Sequence, residues 1–293
     1  MSEASLSATV VASFGRQALV QDAAGSLSQA RLASRRLEAV CGDRVMLRRA
    51  ADGHAVIEAV APRASAFQRA SRHRTKIIAA NVTQVVVLVA CEPSFSAELV
   101  CRVLVAAEHA GLPGVIALNK VDLVDQRAEA RRALEAFQGL GYPVVELSAR
   151  TDAEALRGYL HRQRSLLVGQ SGMGKSTLVS TLVPGAEVRI GEISRFLDAG
   201  RQTTTASRLY PLDEAGEIVD SPGLAEFGLA GLDAAAIAAG FREFPRHAAT
   251  CRFKDCRHLS EPSCGLERGV AEGGIHPRRL ALYRQILERE GLA

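Results

Sequence analysis

The 293-residue sequence predicts a multi-domain protein: a small N-terminal β-barrel or β-sandwich, a central α/β domain with a parallel sheet, and a small C-terminal helical unit held by a metal. Three observations lead there. Short apolar runs broken by turn residues fill Thr9 to Pro62 with no competing helical period, strand and helix patterns alternate from Val85 onward, and three of the six cysteines crowd around one histidine near the C-terminus. At roughly 150 residues per domain, length alone suggests about two. Motif placement raises this to three, at 1–66, 67–230 and 231–293.

In the first unit, Val45-Met46-Leu47 and Ala55-Val56-Ile57 flank Asp52-Gly53, a good hairpin signal. Phe67 to Asn81 carries Arg69, Arg72, Arg74 and Lys76 without an acidic residue and reads as a solvated linker. The α/β pattern then runs through strand Val85 to Ala90, helix Ala97 to Ala110, strand Val115 to Leu118, helix Arg127 to Gly139 and strand Val144 to Leu147. Strands Leu166 to Val168 and Glu217 to Val219 extend it. An Ala-rich helix, Ala234 to Phe244, leads to the Cys/His cluster, and a last helix spans Arg278 to Glu290. A unit this small needs a staple.

Composition narrows the function classes. With 47% hydrophobic and 23% charged residues the chain is ordinary globular material. Aromatics at 4%, without Trp, disfavour RNA binding by broad stacking platforms and leave charge as the means. The net charge of +4 permits a nucleic-acid partner without requiring one. Met1 to Ala12 does not read as a secretory signal, and the longest apolar run, Val85 to Cys91, is far short of the roughly 18 residues of a membrane span. Clustered cysteines suit a reducing cytoplasm and a metal, not disulfides.

The chemistry lies in four motifs. Gly169-Gln170-Ser171-Gly172-Met173-Gly174-Lys175-Ser176, followed by Thr177, fits the G-x-x-x-x-G-K-[ST] phosphate loop between a strand and a helix. Backbone N–H groups wrap the phosphates, Lys175 reaches the β and γ phosphates and acts in catalysis, and Ser176 ligates Mg²⁺. Only four of the 36 basic residues are lysines, so Lys120 and Lys175 mark places where a compact ammonium works and a guanidinium does not. Asn119-Lys120-Val121-Asp122 follows a strand directly, where α/β sheets bind ligands. Asp122 can accept from the N1–H and exocyclic amine of guanine, and adenine leaves it unpaired. Ser148-Ala149 adds a backbone N–H to that pocket. Asp220-Ser221-Pro222-Gly223 supplies Asp220 for Mg²⁺ and the Gly223 N–H for the γ-phosphate, while one of Thr203, Thr204 and Thr205 completes the Mg²⁺ shell. These motifs describe a GTPase, but Asn-Lys-x-Asp and Ser-Ala precede the phosphate loop, so the chain reads as circularly permuted. Finally, Cys251, Cys256, His258 and Cys264 give C-x₄-C-x-H-x₅-C, a closed structural set for one tetrahedral Zn²⁺.

Together the β-rich start, the permuted motifs, the Thr triplet and C-x₄-C-x-H-x₅-C resemble the bacterial RsgA family, also called YjeQ. The resemblance implies an N-terminal OB-fold, a circularly permuted GTPase domain and a zinc-binding domain. It further implies a GTPase stimulated by the small ribosomal subunit, acting late in that subunit's maturation, with hydrolysis coupled to release. The partners expected are that subunit and its rRNA, and GTP or GDP, for a cytoplasmic monomer with no membrane contact. Two departures are that Gln202 stands where members often have His, and Thr83 where they often have Asp. Leu224 occupies the position where many GTPases place a water-orienting Gln, so the enzyme alone should be slow, and Gln202 is the candidate for positioning the water. The alternative is an RNA-binding assembly chaperone that uses GTP and GDP only as an affinity switch.

Overall fold

The computed structural model describes residues 6–50, 54–71, 74–183, 185–186, 206–212, 216–223, 227–229 and 231–293. Five strands come first: β1 (Leu6–Phe14), β2 (Gln17–Asp22), β3 (Leu27–Leu32), β4 (Arg44–Arg49) and β5 (Ala55–Val60). They pair in the order β1-β2-β3-β5-β4, and β4 returns to β1, so the sheet closes into a barrel. Closure removes the open edges that invite aggregation. Alternation drives it: Val10, Val20 and Ile57 point inward and are fully buried. A bulge between Val10 and Ala12 bends β1, and Ala12 pairs with Arg208, which makes the barrel continuous with the strands of the α/β domain.

Residues 67–81 are not a solvated linker. β6 (Ala66–Ser71) and β7 (Arg74–Ala80) form an antiparallel hairpin. The apolar positions hidden among its charges decide this: Phe67 and Ala79 are fully buried, and the Phe67 ring lies 5.7 Å from that of Phe227. The hairpin meets the barrel at Gly42, whose φ of +90° and whose would-be Cβ, 2.1 Å from the Ala80 carbonyl oxygen, admit no side chain. The Gly42 carbonyl accepts from Asn81 Nδ2 and Arg164 Nη1, each at 3.0 Å.

The α/β domain holds β8 (Gln84–Ala90), β9 (Gly114–Asn119), β10 (Val144–Glu146), β11 (Arg164–Gly169), β12 (Arg208–Pro211) and β13 (Glu217–Asp220). Their order is β10-β9-β8-β11-β13-β12, parallel except for β12. Every residue of β8 and β9 is buried, as a strand covered on both faces requires. Helices α1 (Ala97–His109), α2 (Val124–Leu134), α3 (Glu154–Leu160) and α4 (Lys175–Leu182) cover the sheet. Parallel strands place the ends of β9, β10, β11 and β13 at one edge, so every nucleotide motif within the described residues emerges there.

The C-terminal unit carries α5 (Ala234–Ala239), α6 (Phe244–Ala248), α7 (Gly265–Ala271) and α8 (Pro277–Glu290). The single Ala-rich helix expected over Ala234 to Phe244 is broken: α5 ends at Gly240, and Pro245 starts α6 where its missing N–H costs nothing. Stacked Phe241 and Phe244 pack edge-on against Tyr283. Two buried ion networks fasten this unit to α1. Arg279 Nε donates to Glu243 at 2.7 Å and its Nη1 reaches Cys101 Sγ at 3.3 Å. Arg102 pairs with Glu98 at 2.9 Å and with Glu290, and donates to the Phe227 carbonyl at 3.2 Å. Among the described residues, no helix is long and apolar enough to cross a membrane.

Removing one partner of a buried pair leaves an uncompensated charge. Glu243→Ala, which strands the Arg279 guanidinium, should cost about 3–5 kcal/mol in denaturant unfolding. Glu58→Ala, which breaks an exposed pair with Arg48, should cost less than about 1 kcal/mol. Equal costs would show that Arg279 reaches water.

Candidate nucleotide-binding site and metal centre

The phosphate loop is built by backbone geometry. β11 ends at Gly169, whose would-be Cβ lies 2.5 Å from the Leu88 carbonyl oxygen, so the loop leaves the sheet where only hydrogen fits. Gly174 has φ +92° and would place a Cβ 2.4 Å from Asn119 Nδ2. Lys175 opens α4 and folds back, its Nζ donating to the carbonyls of Gly169 at 2.9 Å and Gln170 at 3.2 Å. These carbonyls hold the ammonium at the loop's mouth, and burial pushes its pKa down while Asp220 opposes that. Ser176 and Thr177 are exposed at the helix start.

Asn119 is the joint of the site. It is buried at the end of β9, its Nδ2 donates to the Met173 carbonyl at 2.9 Å, and its Oδ1 accepts from Ala149 N–H at 2.8 Å. One amide thus fixes the phosphate loop and the Ser148-Ala149 turn. Of the backbone N–H groups in the Ser148-Ala149 turn, that of Ala149 is spent on Asn119 in this geometry. Lys120, at φ +61°, spans from the Glu92 carbonyl at 2.6 Å to the Gly172 carbonyl at 2.9 Å, bracing the loop. Val121 N–H bonds the Leu147 carbonyl at 3.3 Å, which leaves Asp122 exposed beside the turn. Ser148 is buried with its Oγ unpartnered.

On the phosphate side, Asp220 ends β13 opposite Leu167 of β11. Burial pushes its carboxyl up to about 6 against the pull of Lys175 and Arg208, and its Oδ1 is buried without a hydrogen-bond partner among the described residues. An unpartnered buried carboxylate oxygen beside a phosphate loop fits a hydrated Mg²⁺, whose chemistry is charge neutralisation on the phosphates. Gly223 lies close by, its would-be Cβ 3.4 Å from Lys175 Nζ. Gln202, Thr203, Thr204 and Thr205 lie outside the described residues, as does Leu224.

Two supporting hydrogen bonds were not readable from the sequence. Gln170 Oε1 accepts from Ser96 N–H at 2.9 Å, tying the loop to the N-cap of α1. Thr181 Oγ1 donates to the Ala149 carbonyl at 2.6 Å, tying α4 to the Ser148-Ala149 turn. Thr181 is one of five polar residues in the eight-residue α4 and nothing in the sequence sets it apart.

The second centre is far smaller. The ligand atoms of Cys251, Cys256, His258 and Cys264 all lie within 4.8 Å of one another. His258 Nδ1 stands 3.5 Å from Cys251 Sγ and 3.4 Å from Cys264 Sγ. Those spacings match the edge of roughly 3.5 Å that a tetrahedron with Zn–S near 2.3 Å and Zn–N near 2.0 Å requires. Burial pushes the His258 pKa down, favouring the neutral imidazole that ligates. Gly265 N–H donates to Cys251 Sγ at 3.1 Å, and Glu261 gathers the amides of Arg257, Leu259 and Ser260, which fixes the loop carrying His258 at φ +61°. The four residues fit one structural Zn²⁺ and leave no side for substrate.

A barrel beside a phosphate-loop domain whose guanine motifs precede its phosphate loop defines the class: a circularly permuted P-loop GTPase. A family model described as RsgA GTPase matches residues 60–230. Among curated proteins, "Small ribosomal subunit biogenesis GTPase RsgA" of Nitrosospira multiformis is 46% identical over 95% of this chain and 89% of its own length. The protein of the same name from Nitrosomonas europaea is 44% identical over 97% and 91%. The crystal structure of YjeQ from Thermotoga maritima aligns with TM-score 0.76 at 29% identity, covering 98% of both chains. YloQ, described as a circularly permuted GTPase, aligns at TM-score 0.71 and 20% identity over 98% of this chain and 95% of its own, and supports the fold alone. The chain belongs to the RsgA GTPase family and is a GTP hydrolase.

The raised Asp220 pKa has a sign that can be checked. Because the folded value exceeds the ordinary 3.8, the folded state holds a proton that the unfolded chain has lost between about pH 4 and 6. This group's stabilising contribution is full below that window and disappears as pH rises through it. Asp220→Asn stays neutral, so the nucleotide-free variant should gain on the native protein by about 1–3 kcal/mol between pH 4 and 8 in denaturant titrations. With Mg²⁺ and GTP present the order should reverse, since the cation needs the ionised carboxylate. A gap independent of pH would contradict this.

Proposed function

We propose that the chain hydrolyses GTP under stimulation by the small ribosomal subunit, acts late in that subunit's maturation, and leaves the particle once hydrolysis is complete. The name carried by its relatives supports the ribosomal assignment. The observation that carries the nucleotide half is Asn119, whose two hydrogen bonds hold the phosphate loop beside the turn from which Asp122 faces solvent. The proposed partners are the subunit, its rRNA and guanine nucleotides, met as a monomer in the cytoplasm. Three domains, 1–66, 67–230 and 231–293, would divide the work: RNA contact, hydrolysis, and a zinc-held module against the particle.

In the proposed mechanism water is the nucleophile and no covalent intermediate forms. The amides of Gly172 to Lys175 and the α4 N-terminus bind the β-phosphate, and Lys175 leaves its two carbonyl partners to neutralise the β and γ oxygens. Ser176 and Asp220, with a threonine among 203–205, would hold Mg²⁺, which supplies charge neutralisation on the phosphates. Gly223 N–H would meet the γ-phosphate beside Lys175. Asp122 excludes adenine by its unpaired carboxylate. Gln202 would orient the water only when the subunit orders its surroundings, which accounts for slow turnover alone.

GTP turnover with and without purified small subunits tests this. Stimulation of at least about tenfold is expected, by analogy with groups supplied in trans to GTPases, and Lys175→Ala should abolish it. Equal turnover in both conditions, with subunit binding that still differs between GTP and GDP, would replace this reading with the assembly chaperone.

A further inference from the structure

A cavity of about 190 Å³ lies where the barrel, the β6–β7 hairpin and the nucleotide domain meet. Its wall includes Ser13, Glu38, Arg69, Lys76, Ser207 and Pro222. It is smaller than the roughly 300–1,000 Å³ of sites that swallow whole small molecules, so it takes a small group.

Arg69 and Lys76 are directly opposite one another across the hairpin. Like charges in that relation destabilise a strand pair unless an anion joins them. Among the described residues no carboxylate forms an ion pair with either, and Lys76 is exposed. Glu38, on the same wall, has Arg63 as its electrostatic neighbour, but the Arg63 fork is already spent on Asp43 at 2.7 and 2.8 Å. The cavity therefore offers two cations for an anion, one carboxylate to accept from a hydroxyl, and Ser207, while the Ser13 hydroxyl is spent on the Ala39 carbonyl at 2.6 Å. A phosphate with a hydroxyl beside it meets that set, and an RNA backbone supplies both in one unit through its 2′-hydroxyl.

We propose that this cavity seats one sugar–phosphate unit of an RNA strand, the phosphate between Arg69 and Lys76 and the 2′-hydroxyl on Glu38. The inference deepens the ribosomal reading above and rests on it for the identity of the RNA. Position gives the site a second consequence. Pro222 separates Asp220 from Gly223, and Ser207 lies two residues beyond Thr205, so the cavity touches both stretches flanking the γ-phosphate site. An RNA phosphate bound there and a nucleotide bound at Lys175 must bias one another equally, because binding linkage is reciprocal.

The test compares the native protein with the double variant Arg69→Gln, Lys76→Gln and with Glu38→Ala, all at surface positions outside the catalytic machinery. Basal GTP turnover and thermal midpoint should not change. Binding to purified small subunits and to their isolated RNA should weaken roughly three- to tenfold in the double variant, and the slope of log affinity against log salt should fall by about 1. The loss should be larger with a non-hydrolysable GTP analogue than with GDP, or larger with GDP, but not equal. Glu38→Ala should narrow the preference for that RNA over a DNA copy of it. An unchanged salt slope in a folded double variant overturns the proposal. So does a cavity that binds only inorganic phosphate, detected as a phosphate-dependent midpoint shift lost in the double variant, while RNA affinity stays native. If the native protein binds the isolated RNA with the expected slope yet shows no subunit-stimulated turnover, the functional reading fails while the cavity stands.

Discussion

A single buried amide holds the nucleotide site together. Asn119 is the last residue of a fully buried strand, and its side chain reaches Met173 in the phosphate loop, 54 positions later, and Ala149, 30 positions later. Apart from the Thr181 tie from α4, the relative placement of those segments depends on this residue and on the sheet behind it. Buried amides left without partners cost about 1–3 kcal/mol per group, which makes the arrangement all-or-none. Gly174 follows from the same contact, since any side chain there would strike Asn119 Nδ2. Lys120, Gln170 and Thr181 add braces around the same centre.

The same logic explains how a permuted chain can keep an intact site. Permutation changes which strand comes first, not which strand ends lie at one edge. Parallel pairing of β9, β8, β11 and β13 brings Asn119, Gly169 and Asp220 to that edge whatever their order in the chain. What permutation changes is the neighbourhood of Gly223: the chain beyond it leads to Phe227 and Leu229, grasped by Arg102 and Glu290. The C-terminal unit is thereby fixed to the segment that follows Gly223.

Much of this was legible in the sequence because its signals were local. The phosphate loop and Asn119 to Asp122 are contiguous, and the metal ligands sit within fourteen residues, with spacing that turns directly into geometry. The apolar run at Val85 announced a strand buried on both faces. What failed was reading charge as solvation: Arg69 and Lys76 suggested a linker, while Phe67 and Ala79 on either side of them are fully buried. Gly240, which closes the Ala-rich helix short of Phe244, was a local signal passed over. Ser96 to Gln170 and Thr181 to Ala149 could not be seen, because a hydrogen bond between distant residues of ordinary type leaves no pattern.

The central claim is that the nucleotide site is assembled by Asn119 before nucleotide arrives. The GDP affinity of Asn119→Ala, measured by calorimetry on protein whose zinc content and unfolding midpoint are checked, addresses it most directly. Two orphaned partners at about 1–3 kcal/mol each should weaken GDP binding at least tenfold. A folded variant that binds GDP as tightly as the native chain would contradict the account.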